Sequence, residues 1–317
     1  MNTAERHALY LLGTGTPTPT KSRFGTAYVL QIGLEFLMFD CGPATTYKLV
    51  RADLWPTQID YLFLTHHHFD HNADLPCFLL CRWDQSTGNE NVLQVFGPPP
   101  TEDILQKLIG PDGAFKDDWK ARVGATLSQR VHANRGGSLP RPEPRLEIGE
   151  VGPGWVFRHA GWRVTATQVH HVQPWLESLA YRVDTDRGSI VFAGDTDPCA
   201  SLAELARGAD VFVANCWNHQ KMMDEDGEAL GQTGTLDSAR FARDSGADVL
   251  VLTHTGPGLC RPGSRERAIR DIGAVYEGEI VFGEEGMVLD LWRPMESKFV
   301  AEPSRRADTE KKEKIHV

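Results

Sequence analysis

No stretch of this 317-residue chain approaches the roughly 18 consecutive apolar residues of a membrane-spanning helix, so no membrane role is expected. The first residues, Met1-Asn2-Thr3-Ala4-Glu5-Arg6-His7, lack the basic start, long apolar core and small-residue cleavage site of a secretory signal peptide. The expected location is the cytoplasm. Cysteine is sparse: six in all, with no CxxC pair and no framework spacing. That argues against a disulfide scaffold, and the thiols are expected reduced and partly buried. Cys77 and Cys81 are read as core thiols rather than ligands. An excess of positive charge is also missing, with 33 Lys and Arg against 43 Asp and Glu and a formal net charge of −10. Such a field argues against nucleic acid as the main partner and gives no support for an anionic membrane surface.

What is present is ordinary globular composition, 41% hydrophobic and 24% charged, on a length that suits one large α/β domain or two smaller ones. Residues 8–12, 27–32 and 36–39 read as strands broken at Gly13-Thr14-Gly15 and Gly33, the last two forming a hairpin. A helix fits residues 44–53, a buried strand 61–64 and a helix 75–83. Between residues 97 and 154 proline and glycine are dense. Residues 101–109 there suit a helix, but 117–145 lack the periodicity needed for a core of their own. The range 97–154 is therefore read as a lid-like insertion in a single domain spanning residues 1–303. Strands are expected at 164–169, 179–183, 189–192, 211–214, 249–252 and 280–282, with helices at 201–207, 235–245 and 264–276. Residues 304–317 form a charged tail that is expected to be disordered.

The densest chemistry lies in Thr65-His66-His67-His68-Phe69-Asp70-His71, entered from the apolar residues 61–64. Nitrogen and oxygen ligands crowded at a strand end suit a divalent metal. Imidazoles packed this closely repel when protonated and are costly to bury unpaired, so a structural role explains them poorly. His66 and His68 stand two apart on extended chain and project the same way. Asp70 and His71 follow in a turn and can face a second ion. Asp195 in Gly194-Asp195-Thr196 would alone read as a turn residue, but beside this motif it reads as a carboxylate bridging two cations. His170 and His171 follow another strand, and one of them is expected to complete the first ion's ligands. Tyr61-Leu62-Phe63-Leu64-Thr65-His66 is echoed by Val249-Leu250-Val251-Leu252-Thr253-His254, which brings His254 to the second ion. Two cations about 3.5–4 Å apart lower the pKa of a bridging water and polarise a substrate oxygen.

With these motifs in this order, the chain resembles the metallo-β-lactamase superfamily, and within it the ribonuclease Z and arylsulfatase-like branch, over about residues 9–290. Leu12-Gly13-Thr14-Gly15-Thr16-Pro17, Asp40-Cys41-Gly42, Val95-Phe96-Gly97-Pro98 and Ala180-Tyr181-Arg182 carry the same resemblance. It implies an α/β fold, a four-layer αβ/βα sandwich of two pseudo-symmetric halves with mixed sheets. It also implies a homodimer and a dinuclear site between the sheets, holding zinc foremost, or manganese or iron. His66, His68 and His171 would hold the first ion and Asp70, His71 and His254 the second, with Asp195 bridging. His171 is preferred to His170 because the branch's ligand precedes a proline-containing loop and then Tyr-Arg, here Pro174 and Tyr181-Arg182. His67 then points away as a spacer.

The chain also departs from the branch. Where a His-Glu-Ala-Thr-like motif assists proton transfer, this chain has Asn215-Cys216-Trp217-Asn218-His219. Asp70 and His219 are the catalytic candidates, His219 as proton donor, with a pocket or surface histidine as its bland alternative. No long basic Gly-Pro arm is visible. The leading expectation is a hydrolase that uses a metal-bridging hydroxide to cleave a small-molecule phosphodiester or sulfate ester, a lactone or an amide, an anionic substrate being one option. Arg23 and Arg182 are candidates for its anionic group, and Trp175 and Trp217 for a pocket wall, with Trp83 and Trp119 as further candidates. The alternatives are a ribonuclease Z-like tRNA 3′ endonuclease and a redox or non-catalytic metal binder.

Overall fold

The computed structural model describes residues 6–88 and 91–292. The charged tail expected at 304–317 lies outside them. The chain first lays down β1 (His7–Thr14), β2 (Thr26–Ile32), β3 (Glu35–Phe39), β4 (Tyr61–Phe63), β5 (Leu93–Gly97) and β6 (Leu146–Glu150). It then builds a second sheet from β7 (Val156–His159), β8 (Trp162–Gln168), β9 (Leu179–Thr185), β10 (Ser189–Phe192), β11 (Val211–Asn215), β12 (Val249–Thr253) and β13 (Glu279–Phe282). The last strand, β14 (Met287–Asp290), returns to the first sheet and pairs antiparallel with β1, Ala8 opposite Asp290. Each sheet has seven strands. In the first, β1 to β3 pair antiparallel and β3 to β6 parallel. In the second, β7 to β10 pair antiparallel and β10 to β13 parallel.

Both faces of each sheet are covered, which is why the central strands read as unbroken apolar runs rather than alternating ones. Along β1, Leu9 and Leu11 face the interior between the sheets, while Ala8, Tyr10 and Leu12 face the first helical layer. That layer contains α1 (Thr45–Arg51), α3 (Leu75–Gln85) and α4 (Thr101–Ile109). On the far side Leu250 and Leu252 of β12 pack against α7 (Ala200–Ala206), α9 (Thr235–Ser245) and α10 (Ser264–Gly273), while Val251 points inward. The result is the expected four-layer αβ/βα sandwich. Two hydroxyls span the interior, Tyr181 Oη donating to the Leu64 carbonyl at 2.9 Å and Tyr28 Oη bonding Thr253 Oγ1 at 2.8 Å.

The range expected to be one insertion is divided. Its end, β6, pairs parallel with β5 inside the first sheet. This edge strand is half-exposed and reads Leu-Glu-Ile-Gly-Glu, so the apolar signal of a buried strand is absent. Before it, α5 (Lys116–Gly124) and α6 (Thr126–Asn134) form a helical hairpin, with Trp119 buried beneath it. The hairpin and its exit are tied to Asp84 at the C-terminal end of α3 by Arg122, Arg135 and Arg141, and Arg141 stacks on Trp83. Trp83 and Trp119 are thus used in packing. Cys77 is exposed and Cys81 only half-buried, because α3 turns that face outward, so the pair is not in the core. Among the described residues no helix is long and apolar enough to cross a membrane.

At the centre of the sandwich Phe39 is fully buried, its ring 3.9 Å from Phe192 in the opposite sheet and 5.0 Å from Phe63 beside it. Phe39→Ala removes an aromatic contact between the sheets and leaves a cavity. A loss of about 3–5 kcal/mol is expected in urea unfolding; a loss below about 1 kcal/mol would mean that the sheets close over the gap.

Candidate metal centre

The parallel strands of both sheets end on one edge of the sandwich, and the residues just after them build the site. Asp40 follows β3, the run from Thr65 to His68 follows β4, and the one-turn helix α2 (Phe69–Asn72) carries Asp70 and His71. From the second sheet come His171 after β8, Asp195 after β10 and His254 after β12. The strand topologically equivalent to β4 is β11, next to the antiparallel-to-parallel switch, and it ends in Asn215. The two Thr-His strand ends are therefore offset by one strand, though both reach the same cleft.

Three imidazole nitrogens meet on one side: His68 Nδ1 lies 3.0 Å from His66 Nε2 and 3.1 Å from His171 Nε2. The far nitrogens fix the direction of these rings. His171 Nδ1 donates to the Gly231 carbonyl at 2.7 Å, and His66 Nδ1 bonds Thr65 Oγ1 at 3.0 Å. Lone pairs of His66 and His171 therefore face His68, which has one proton at most to share between them. A tetrahedral ion with bonds of about 2.0–2.1 Å would separate such nitrogens by about 3.3 Å. On the other side, His254 Nε2 lies 3.2 Å from Asp70 Oδ2 and 3.1 Å from Asp195 Oδ2. His71 Nε2 lies 3.6 Å from both Asp70 Oδ2 and Asp195 Oδ1. The ligand atoms fall into three overlapping sets, each within 4.8 Å: His66, His68, His171; His66, His71, Asp195; and Asp70, His71, His254.

His71 is oriented from behind. Its Nδ1 donates to Asp40 Oδ2 at 2.8 Å, and Asp40 also accepts the Thr65 N–H at 2.8 Å and hydroxyl at 2.9 Å. Gly42 is required next to this point, since a Cβ there would lie 2.1 Å from the Asp70 carbonyl oxygen. Burial works to depress the His71 pKa, but Asp195 and Asp40 outweigh it and hold it well above the usual value. Burial likewise opposes ionisation of Asp195, yet His254 and His71 keep its pKa well below the usual carboxylate range. His66 is pushed well down by burial and by His71. His71 Nε2, Asp70 Oδ1 and Asp195 Oδ1 are buried without a hydrogen-bond partner. Orphaned ligand atoms of both classes, aimed at one another, are what a bound divalent cation would satisfy.

The other candidates fall elsewhere. His67 turns to the Pro98 carbonyl and Thr101 Oγ1, both at 3.0 Å. His170 is exposed, 3.7 Å from Asp197. His219 does not join the cluster. It lies where the chain turns into α8 (Gln220–Asp226), and its Nε2 is 2.7 Å from Ser264 Oγ on α10. Arg23 is buried against Thr14 and the Gly283 carbonyl, and Arg182 bonds Asp184 at 2.8 Å, so neither points a free guanidinium at the cleft. Trp217 does border the site, its ring 6.2 Å from that of His254. Sequence reasoning missed Asp40 as the orienting carboxylate, and also Gly231 and Gln232. In the sequence Asp40-Cys41-Gly42 stands out only as a motif.

The family model of the beta-lactamase superfamily domain matches residues 36–255, well over half of the chain. The chain belongs to the metallo-β-lactamase superfamily. It is a hydrolase of that superfamily, similar to curated ribonucleases Z. The ribonuclease Z of Mycolicibacterium gilvum (strain PYR-GCK) is 30% identical over 288 residues, covering 87% of this chain and 93% of that one. The ribonuclease Z of Mycobacterium sp. (strain KMS) is 28% identical over 280 residues, with the same coverage. Among solved structures, the metallo-β-lactamase-fold protein YhfI of Bacillus subtilis aligns with a TM-score of 0.70 at 20% identity, over 90% of this chain and 99% of that one. The short form of human tRNase Z aligns at 0.63 and 22%, over 89% and 98%. These two likenesses concern the fold. The ribonuclease relatives overturn the expectation, drawn from net charge, that nucleic acid is not a partner. Whole-chain charge is an average, and it does not report the field at one cleft.

If Asp40 orients His71, Asp40→Asn should lower affinity for divalent cations by roughly 10–100-fold while the chain stays folded. Competition with a chromophoric chelator measures this, and unchanged affinity would remove Asp40 from the role.

Proposed function

We propose that this chain is a metal-dependent RNA phosphodiesterase of the ribonuclease Z type, working with two divalent cations, zinc foremost. The observation that carries the reading is the pair of ligand sets, His66, His68, His171 and Asp70, His71, His254, joined by a third set of His66, His71 and Asp195, in a chain alignable with ribonucleases Z over nearly its whole length. His66, His68 and His171 would hold one cation, Asp70, His71 and His254 the other, and Asp195 would touch both. Such a pair supplies a nucleophilic water at neutral pH and charge neutralisation at the phosphoryl group. The protein's own contribution is placement. Asp40 and Thr65 hold the rings of His71 and His66, and the Gly231 carbonyl holds His171. Asp70 and Asp195, kept ionised by the imidazoles around them, offset the cationic charge and leave the phosphate as the remaining anion to be bound.

This reading takes the place of small-molecule ester cleavage as the leading one, and its support is the ribonuclease Z relatives. A cytoplasmic setting is part of the proposal, supported by six unpaired cysteines.

The test is cleavage of a tRNA precursor by the metal-loaded chain, with binding that weakens as salt rises. His68→Ala and Asp195→Ala should each release metal and reduce cleavage at least about 100-fold, since such ligand losses remove the nucleophile as well as charge stabilisation, with circular dichroism unchanged. Hydrolysis of small phosphodiesters with no cleavage of any RNA would refute the reading.

A further inference from the structure

Three consecutive residues between α8 and α9 touch His171 of the first ligand set and Asp195, the proposed bridge, or its neighbour. The Gly231 carbonyl accepts the His171 Nδ1 proton at 2.7 Å. Gln232 Nε2 donates to Asp195 Oδ2 at 3.4 Å. Thr233 Oγ1 donates to the carbonyl of Thr196, next to Asp195, at 2.5 Å, and its own carbonyl accepts the Trp217 N–H at 2.9 Å. Gly231 sits at φ +73, and a Cβ there would lie 2.3 Å from the His171 carbonyl oxygen, so only glycine lets the segment come this close.

We infer that Gly231-Gln232-Thr233 is a strap that positions the metal ligands, and that Gln232, backed by Asn215, is the positioning residue for Asp195. The direction of the hydrogen bonds is the argument. An ionised carboxylate only accepts, so the Gln232 atom facing Asp195 must be Nε2. Its Oε1 is then turned to Asn215, whose Nδ2 donates to it at 2.9 Å. Asn215 is 3% exposed, and its Oδ1 has no hydrogen-bond partner, so nothing competes to reverse the chain.

The inference rests on the two-metal reading, and the experiment separates the two. The wild type and Gln232→Met, which keeps the volume and removes the donor, are loaded with Co(II). Affinity is read by chelator competition and ligand geometry by the visible absorption of the bound ion. Gln232→Met should lose about tenfold or more in affinity for one of two ions and change the absorption band. Asn215→Leu should move both in the same direction by less. The double variant should lose no more than Gln232→Met alone, because the two side chains act as one unit. Wild-type affinity and spectrum in Gln232→Met, or additive losses, would overturn the strap while leaving the two-metal reading intact. A wild type that binds no metal would overturn both. Should Gln232→Met not fold, Asn215→Leu carries the same spectral prediction, and an unchanged spectrum there sinks the inference.

Discussion

The carboxylate of Asp40 is the interaction on which the rest of the site depends. It is fully buried and takes hydrogen bonds from the backbone and hydroxyl of Thr65 and from the ring of His71. A buried carboxylate with fewer partners would cost several kcal/mol, so these donors are held in place as much as they hold it. Through Thr65 the network reaches His66, and through His71 it reaches Asp195. One acid behind the site thus aligns the end of β3, the end of β4 and the turn of α2. His171 is held separately, by the Gly231 carbonyl, and His68 by its contacts with His66 and His171.

The frame of the fold was legible because buried parallel strands leave continuous apolar runs, and 61–64 and 249–252 stand out as such. The His66 to His71 run was legible for another reason: so many ligand-type side chains have no comfortable structural use together. Strand ends pointed to Asp195, His254 and one of His170 and His171, and the family resemblance chose His171. What stayed hidden obeys local rules less. β6 alternates on a half-exposed edge and follows a proline-rich stretch, so neither period nor hydrophobicity announced it. His219 looked available for proton transfer because sequence gives distance along the chain but not direction, and its ring is taken up by Ser264. Asp40 and Gln232 make their hydrogen bonds to residues 17 to 37 positions away, which no local pattern encodes.

The net charge of −10 does not decide the substrate, for a physical reason. Net charge governs the far field and the speed of encounter. Hydrolysis of a phosphodiester depends on charge within a few ångströms, where the buried imidazoles and carboxylates of this site set the balance. An acidic protein can therefore carry a site suited to an anionic substrate, and relatives 28% and 30% identical to this chain carry the name ribonuclease Z.

The return of β14 to β1 has a consequence for how the molecule is made. Until residues 287–290 have been synthesised, the outer edge of β1 has no neighbour, although the remaining strands of both sheets can already be paired. An open strand edge invites pairing with other chains. During synthesis the nascent protein therefore passes through a stage in which its proposed catalytic residues are all present while the full eight residues of β1 are an open edge. Once β14 pairs, the edge on that side is a strand of four residues instead.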